Sequence, residues 1–333
     1  MFEYLSGSSP VGLIRAAVGG SPIEFWLPEG SVNTTAACGL DMPACDTEKN
    51  HSDSGFFDRL VRPLAPYTLG SMLWDQGERD VHCLTTYINH TARYPCLERE
   101  LIHSWRTAFD SSFVFVAIQL PGYLGDCDGN GKSTGIEWCI PGVFNMRLAQ
   151  EQGVHGDTIG AAATPTYDLS CPFGVKTPEC PFGSVHNVRK REIGNRAARQ
   201  LLHLLGETPA DAVVDGPRAT AASAAQNDGG NAAVVVRFAG GGALYTNGTQ
   251  YCITCCDGGV GDFDASDDNG LTWVNGTVPI VTGSTSVRFS VATARTPTHV
   301  RYTANMGFPQ CAVFNAEGLP AYPFAMVVTA AEV

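Results

Sequence analysis

The sequence is short of cations, of long apolar runs and of a basic, apolar leader, and each shortage excludes a class of protein. Lys and Arg number 21 against 33 Asp and Glu, giving a formal net charge of −12. Phosphate recognition needs clustered positive charge, so a nucleic-acid partner is excluded. No uninterrupted apolar run reaches the ~18 residues of a membrane span. Residues 1–20, MFEYLSGSSPVGLIRAAVGG, lack the basic start and continuous apolar stretch of a signal peptide. No second Cys-x-x-Cys or His-x-x-x-His follows Cys252-Ile-Thr-Cys255-Cys256 at zinc spacing, which disfavours a structural metal there. No internal repeat is found.

What is present points to a folded, oxidised protein. Hydrophobic residues make up 44% and charged residues 16% of 333, a globular and not a disordered balance. The 12 cysteines fall largely in loop-like sequence, several of them close together: 38/45, 83/96, 127/139 and 171/180. An even number in such places favours disulfides, with the connectivity open. Five Asn-x-Ser/Thr sequons, at Asn33, Asn50, Asn89, Asn247 and Asn275, agree with the secretory route, extracellular or lysosomal. A secreted composition without a leader in residues 1–20 leads to the expectation that the natural N-terminus lies upstream.

Along the chain, PVGLIRAAV (10–18) reads as a short buried strand, and Ile23 to Trp26 as the start of a helix. Residues 32–55 read as a loop, 56–66 as a helix ending near Pro66, and TLGSMLW (68–74) as a strand entering Asp75-Gln76-Gly77-Glu78. Leu97, Leu101, Ile102, Trp105 and Phe109 share one helical face. FVFVAIQL (113–120) is apolar throughout, as a strand buried on both faces should be. Helices are expected over 143–152 and 188–205, the latter facing inward with Ile193, Ala197, Leu201 and Leu204/Leu205 and stopped by Gly206. Alternating strands and helices imply an α/β domain with a mostly parallel sheet and flanking helices over 1–206. Residues 208–231 are rich in Ala, Gly, Asn and Asp. Short strands at 233–239, 271–274, 286–292 and 298–303 then imply an all-β, sandwich-like domain over 207–333.

In an open parallel sheet, chemistry sits in the loops at the C-terminal strand ends. Gly19-Gly20 and Gln76-Gly77-Glu78 each follow a predicted strand. Glycine turns let backbone N–H groups face a developing oxyanion, and a glutamine amide can add a donor. His186, in a loop before a long helix, is placed as a general base.

These segments fall in order within blocks that resemble the sialate O-acetylesterases, carbohydrate esterases of the SGNH-hydrolase type. PVGLIRAAVGGSPIEFW (10–26) is similar to that family's PVGLI…GGTPIEAW, and LWDQGERD (73–80) to its WYQGES(N/D) block. LIHSWRTAF (101–109) resembles its helix with WR and F, and PFGSVH (181–186) the surroundings of its catalytic histidine. HVRYTANMGFPQCAVFNAEGLPAYPF (299–324) resembles its C-terminal signature.

The resemblance implies an SGNH-like, flavodoxin-like fold and a serine esterase that removes acetyl groups from O-acetylated sialic acid or another acetylated glycan. It requires no cofactor. His186 would be the base, Gly20 a backbone oxyanion donor, Gln76 a side-chain donor and Glu78 a brace. The family's nucleophile sits in a G-x-S-N turn upstream of the PVGLI block. Here only Ser6, Ser8 and Ser9 precede it, at the wrong end of the predicted strand, so no nucleophile is assigned and a chain shortened before that turn is expected to be inactive alone. Asn187 and Val188 follow the histidine where the family has proline first, Arg79 replaces a small residue, and Ser184 stands where related esterases have Asp.

Two other readings are carried. One is a catalytically inactive glycan-binding relative. The other is a calcium-dependent structural module, because Asp126, Asp128, Asn130 and Glu137 fit the D-x-D-x-N-G-x5-E loop. Ser133 departs from that pattern, and Asp262 to Asn269 reads as a solvated turn.

Overall fold

The computed structural model describes residues 11–31, 38, 55–82, 90–122, 141–170, 178, 181, 186, 188–226, 231–248, 256, 260–304 and 311–330. The chain forms two compact units. The first comprises Met1–Gln119, Ala149–Thr164 and Gly194–Ala212, and the second Leu120–Leu148, Pro165–Ile193 and Val213–Val333.

The first unit is built on an all-parallel sheet, β1 (Ser71–Asp75), β2 (Val114–Ile118) and β3 (Ala161–Thr164), in that spatial order. Every residue of β2, VFVAI, is buried, which suits a strand paired on both edges and covered on both faces. Helix α1 (Glu78–His82) leaves the end of β1, and α2 (His90–Phe109) returns the chain to β2. Buried Tyr94, Leu97, Leu101, Trp105 and Phe109 step along α2 at intervals of three and four, so one stripe faces inward. A disulfide joins Cys96 of α2 to Cys38.

Helix α3 (Pro141–Val154) precedes β3, and α4 (Lys190–Leu204) follows it. The end of α4 is capped by Gly206 at φ +75°. Its N–H reaches the His203 carbonyl at 3.0 Å, and the Glu207 N–H reaches that of Leu202 at 2.8 Å. This is the left-handed stop that the glycine signalled.

Two local expectations are corrected. Residues 11–18 form no strand, and Leu13 and Ile14 are 92% and 51% exposed. An apolar run becomes a strand only when its backbone finds a ladder, and no described strand pairs with it. Residues 56–66 are not one α-helix. A π turn at Phe57–Val61 gives way to a 3-10 turn at Arg62–Leu64, where Pro63 withholds an N–H.

The second unit carries eleven strands among the described residues. A five-stranded sheet runs β14 (Thr329–Ala330), β4 (Arg218–Gln226), β5 (Ala232–Ala239), β10 (Ser286–Val291), β9 (Ile280–Val281). A four-stranded sheet runs β13 (Phe324–Val327), β11 (His299–Tyr302), β7 (Val260–Ser266), β8 (Val274–Thr277). Strands β12 (Cys311–Asn315) and β6 (Leu244–Gly248) form a ribbon. Pairings are antiparallel except β14 with β4.

Val234, Val236, Val287 and Phe289 of the larger sheet share one apolar core with Phe263, Val300, Tyr302 and Phe324 of the other. Phe263 packs 5.0 Å from Phe289 and 4.5 Å from Tyr302. Earlier chain joins this core through Tyr167, whose hydroxyl donates to the Ala321 carbonyl at 2.6 Å. Buried Arg147 lies over the Tyr167 ring and donates to the carbonyls of Leu120 and Pro121 at 2.8 and 2.9 Å.

The acidic stretch from Asp262 is not a solvated turn. Asp262 and Asp264 are buried on β7. Asp262 accepts the Cys311 N–H at 2.7 Å, and Asp264 pairs with Arg301 at 2.8 Å. Only its end turns, where the Asp268 carboxylate accepts the Thr272 N–H at 2.8 Å. The disulfide Cys256–Cys311 also removes Cys256 from any metal reading of its cluster.

Candidate active site

Two of the glycine turns singled out in the sequence lie in the first unit and are locked together. The first is Gly19-Gly20. Gly20 lies at φ +71°, a conformation that glycine adopts without strain. Across it, the Ser21 hydroxyl donates to the Val18 carbonyl at 2.8 Å. The same hydroxyl accepts from the Trp26 indole at 2.9 Å. Trp26 is held in turn, because Trp105 of α2 donates to its carbonyl at 2.8 Å and Trp74 packs edge-on at 5.8 Å. The turn therefore rests on three tryptophans. Gly20 itself is exposed, and its N–H is spent on no acceptor among the described residues.

The second turn is Gln76-Gly77-Glu78, at the C-terminal end of β1. Gly77 takes φ +138°, which a Cβ would strain. Gln76 is 7% exposed, and its amide orientation follows from a directional chain. The Trp74 indole, a donor only, reaches the Tyr94 hydroxyl at 3.1 Å. Tyr94 donates to Gln76 Oε1 at 2.9 Å. That leaves Gln76 Nε2 to donate to the Ser21 carbonyl at 2.9 Å and to Asp80 Oδ2. Gln150 of α3 fixes the Gln76 backbone, donating to its carbonyl at 2.9 Å and to that of Ile118 at 3.0 Å.

Asp80 closes the circuit, its Oδ2 also accepting the Ile23 N–H at 3.2 Å. Burial, then the neighbouring Glu24 carboxylate, push Asp80 well above the usual carboxylate range; the Gln76 and Ile23 hydrogen bonds oppose this only in part. Tyr94 is likewise pushed up, by burial first and then by nearby carboxylates, so it remains a neutral hydroxyl that can donate.

The sequence-derived residues therefore separate. Gly20 and Gln76 come together through Ser21. Both Nε2 hydrogens of Gln76 are engaged within the protein, which makes it a strut between the turns and leaves neither hydrogen for an oxyanion. Glu78, half-buried, opens α1. His186 is exposed at a bend and belongs to the second unit. Asp126, Asp128, Asn130, Glu137, Ser6, Ser8 and Ser9 lie outside the described residues. Among the described residues, no cluster of His, Cys, Asp and Glu could hold a metal, and no helix is long and apolar enough to cross a membrane.

Sequence reasoning missed Asp80, Ser21, Tyr94 and Gln150. The one available signal was that Asp80 follows Gln76 closely in the same turn and short helix.

Comparison with known proteins bears on the fold and on sequence similarity. No family model matches the chain. The sialate O-acetylesterase of Homo sapiens is 24% identical over 199 residues, covering 56% of this chain and 34% of that protein. The Rattus norvegicus protein of the same name is 22% identical over 226 residues, covering 56% and 38%. The matches thus span little more than a third of these curated relatives. A solved carbohydrate acetylesterase from Xanthomonas citri superposes with a TM-score of 0.68 at 20% identity, covering 97% of this chain and 62% of that one.

The mixed α/β fold with its parallel sheet is thus of the kind found in a carbohydrate acetylesterase. By sequence the chain is similar to the sialate O-acetylesterases over 56% of its length.

Proposed function

We propose that this protein belongs to an acetylesterase that hydrolyses O-acetyl esters of sialic acid or of a related acetylated sugar. The observation that carries the reading is the exposed Gly20 turn, held by Ser21 and Trp26 and tied through Gln76 to the C-terminal end of β1, where open parallel sheets place their chemistry. Gly20 would donate to the developing oxyanion, with Gln76 setting the turn. His186 would take the proton of an attacking serine and return it to the leaving sugar hydroxyl. That serine is not assigned to a described residue. The SGNH-like assignment of the parallel sheet belongs to the same proposal, as does a sandwich-like domain for the C-terminal strands. The disulfides Cys38–Cys96 and Cys256–Cys311 favour an oxidising, secretory setting.

The test is acetate release from a p-nitrophenyl ester and from O-acetyl sialic acid by the full-length natural protein. Release should occur and be lost in His186→Ala. The engaged Gln76 amide favours one rival, a glycan-binding relative without turnover. Glycan binding with no acetate release from either ester would establish that rival instead.

A further inference from the structure

Asp80 is the point where the two turns meet, and neither the kinship nor the acyl-transfer reading gives it a role. It is 1% exposed, and one of its oxygens accepts from both sides. Ile23, just past Gly19-Gly20, donates to Oδ2 through its backbone, and Gln76 donates to the same atom through Nε2. Gln76 spends its other hydrogen on Ser21, so the loop Ser21–Ile23 is gripped at two places, one by Gln76 and one by Asp80. A buried carboxylate is costly to keep. Glu24 alongside makes it more so, because two neighbouring buried carboxylates repel when both are ionised.

We propose that Asp80 is a positioning residue: it sets the spacing and orientation of the Gly20 turn relative to Gln76 by accepting from both Gln76 Nε2 and Ile23 N–H. It touches no substrate. Its effect on catalysis passes through the Gly20 N–H, and so this inference rests on the esterase reading above. Removing the carboxyl leaves two buried donors without an acceptor and frees the Gln76 amide to turn. The oxyanion donor then loses a fixed position, and preorganised donors lose most of their worth when they must reorganise. An asparagine still offers an oxygen to both donors.

The experiment compares Asp80→Ala and Asp80→Asn with the wild type in the full-length protein. Two readouts are used: steady-state kinetics on p-nitrophenyl acetate, and the NMR resonances of the Gln76 side-chain amide. Asp80→Ala should lower kcat at least tenfold with KM within twofold, and shift the Gln76 amide to its solvent-exposed position. Asp80→Asn should stay within threefold of wild type and keep the Gln76 shift. A folded Asp80→Ala with unchanged kcat, or with an unmoved Gln76 amide, would overturn the proposal.

If Asp80→Ala does not fold, hydrogen exchange on the wild type decides. The Ile23 N–H and the Gln76 amide should exchange together at one protected rate, because one acceptor holds both, and exchange at unrelated rates would overturn the proposal. Coupled exchange or a coupled NMR response in a wild type that releases no acetate would support the strut and defeat the esterase reading instead.

Discussion

The two units keep opposite interiors. At the C-terminal end of its parallel sheet, the first unit buries Gln76, Asp80, Glu24, Tyr94 and Gln150. The second unit closes its sheets on the apolar side chains of Val234, Val236, Phe263, Phe289, Val300, Tyr302 and Phe324, with Asp262 and Asp264 buried beside them on the Cys311 N–H and Arg301. An apolar core gains free energy from area and tolerates small shifts. A polar network gains little net energy, yet each bond has a direction and leaves one arrangement satisfied. The contrast locates positional precision in the first unit and bulk stability in the second.

That contrast can be broken by substitution. Phe263→Ala removes a ring contacting three aromatic neighbours and should cost about 3–5 kcal/mol of stability. The fraction that remains folded should keep its kcat, as thermal melts beside active-site-normalised kinetics would show. Tyr94→Phe is the opposite case. It removes the donor to Gln76 Oε1 and the acceptor for Trp74, costing about 1–3 kcal/mol. Its kcat should fall further than that stability loss can account for. Equal behaviour of the two variants would erase the distinction.

Gly276→Ala should cost about 1–3 kcal/mol by chemical denaturation, because a Cβ there meets the Phe289 ring. Glu98 sharpens the comparison through pH. It is fully buried on α2, and burial pushes its carboxyl well above the ordinary 4.5. The unfolded chain therefore releases that proton at lower pH than the folded one. The cost to stability is absent below the unfolded value and grows as pH rises from there toward the raised folded value. Glu98→Gln should accordingly raise the melting temperature at pH 7–8, with the gain fading toward pH 4. At the small end, Arg62→Ala breaks an exposed pair with Asp58 and should change stability by less than about 0.5 kcal/mol.

Much of the fold is written in pattern. The stripe of α2 and the unbroken apolar run of β2 follow from periodicity, and the end of α4 from Gly206. Strands β3 and β4 were not legible, because AAAT and RATAASAAQ carry alanines where β-branched residues would signal a strand. Tertiary pairing makes them strands. Strand β7 was masked by its own acids, since Asp262 and Asp264 read as solvated until Cys311 N–H and Arg301 are seen to meet them. Gly20 and Gln76 were legible because glycine turns and a glutamine after a strand are unusual in combination. Asp80 was not, for a carboxylate in a short charged helix reads as surface until its burial is known.

The central claim is that the Gly20–Gln76 arrangement serves ester hydrolysis with His186 as base. The most direct measurement is the pH–rate profile for acetate release by the full-length protein, alongside His186→Ala. Activity should fall as pH drops, because a histidine base works only in its neutral form. His186→Ala should reduce kcat by at least about a hundredfold while the melting temperature holds. Undiminished release by a folded His186→Ala, or a rate independent of pH from 5 to 8, would contradict the account.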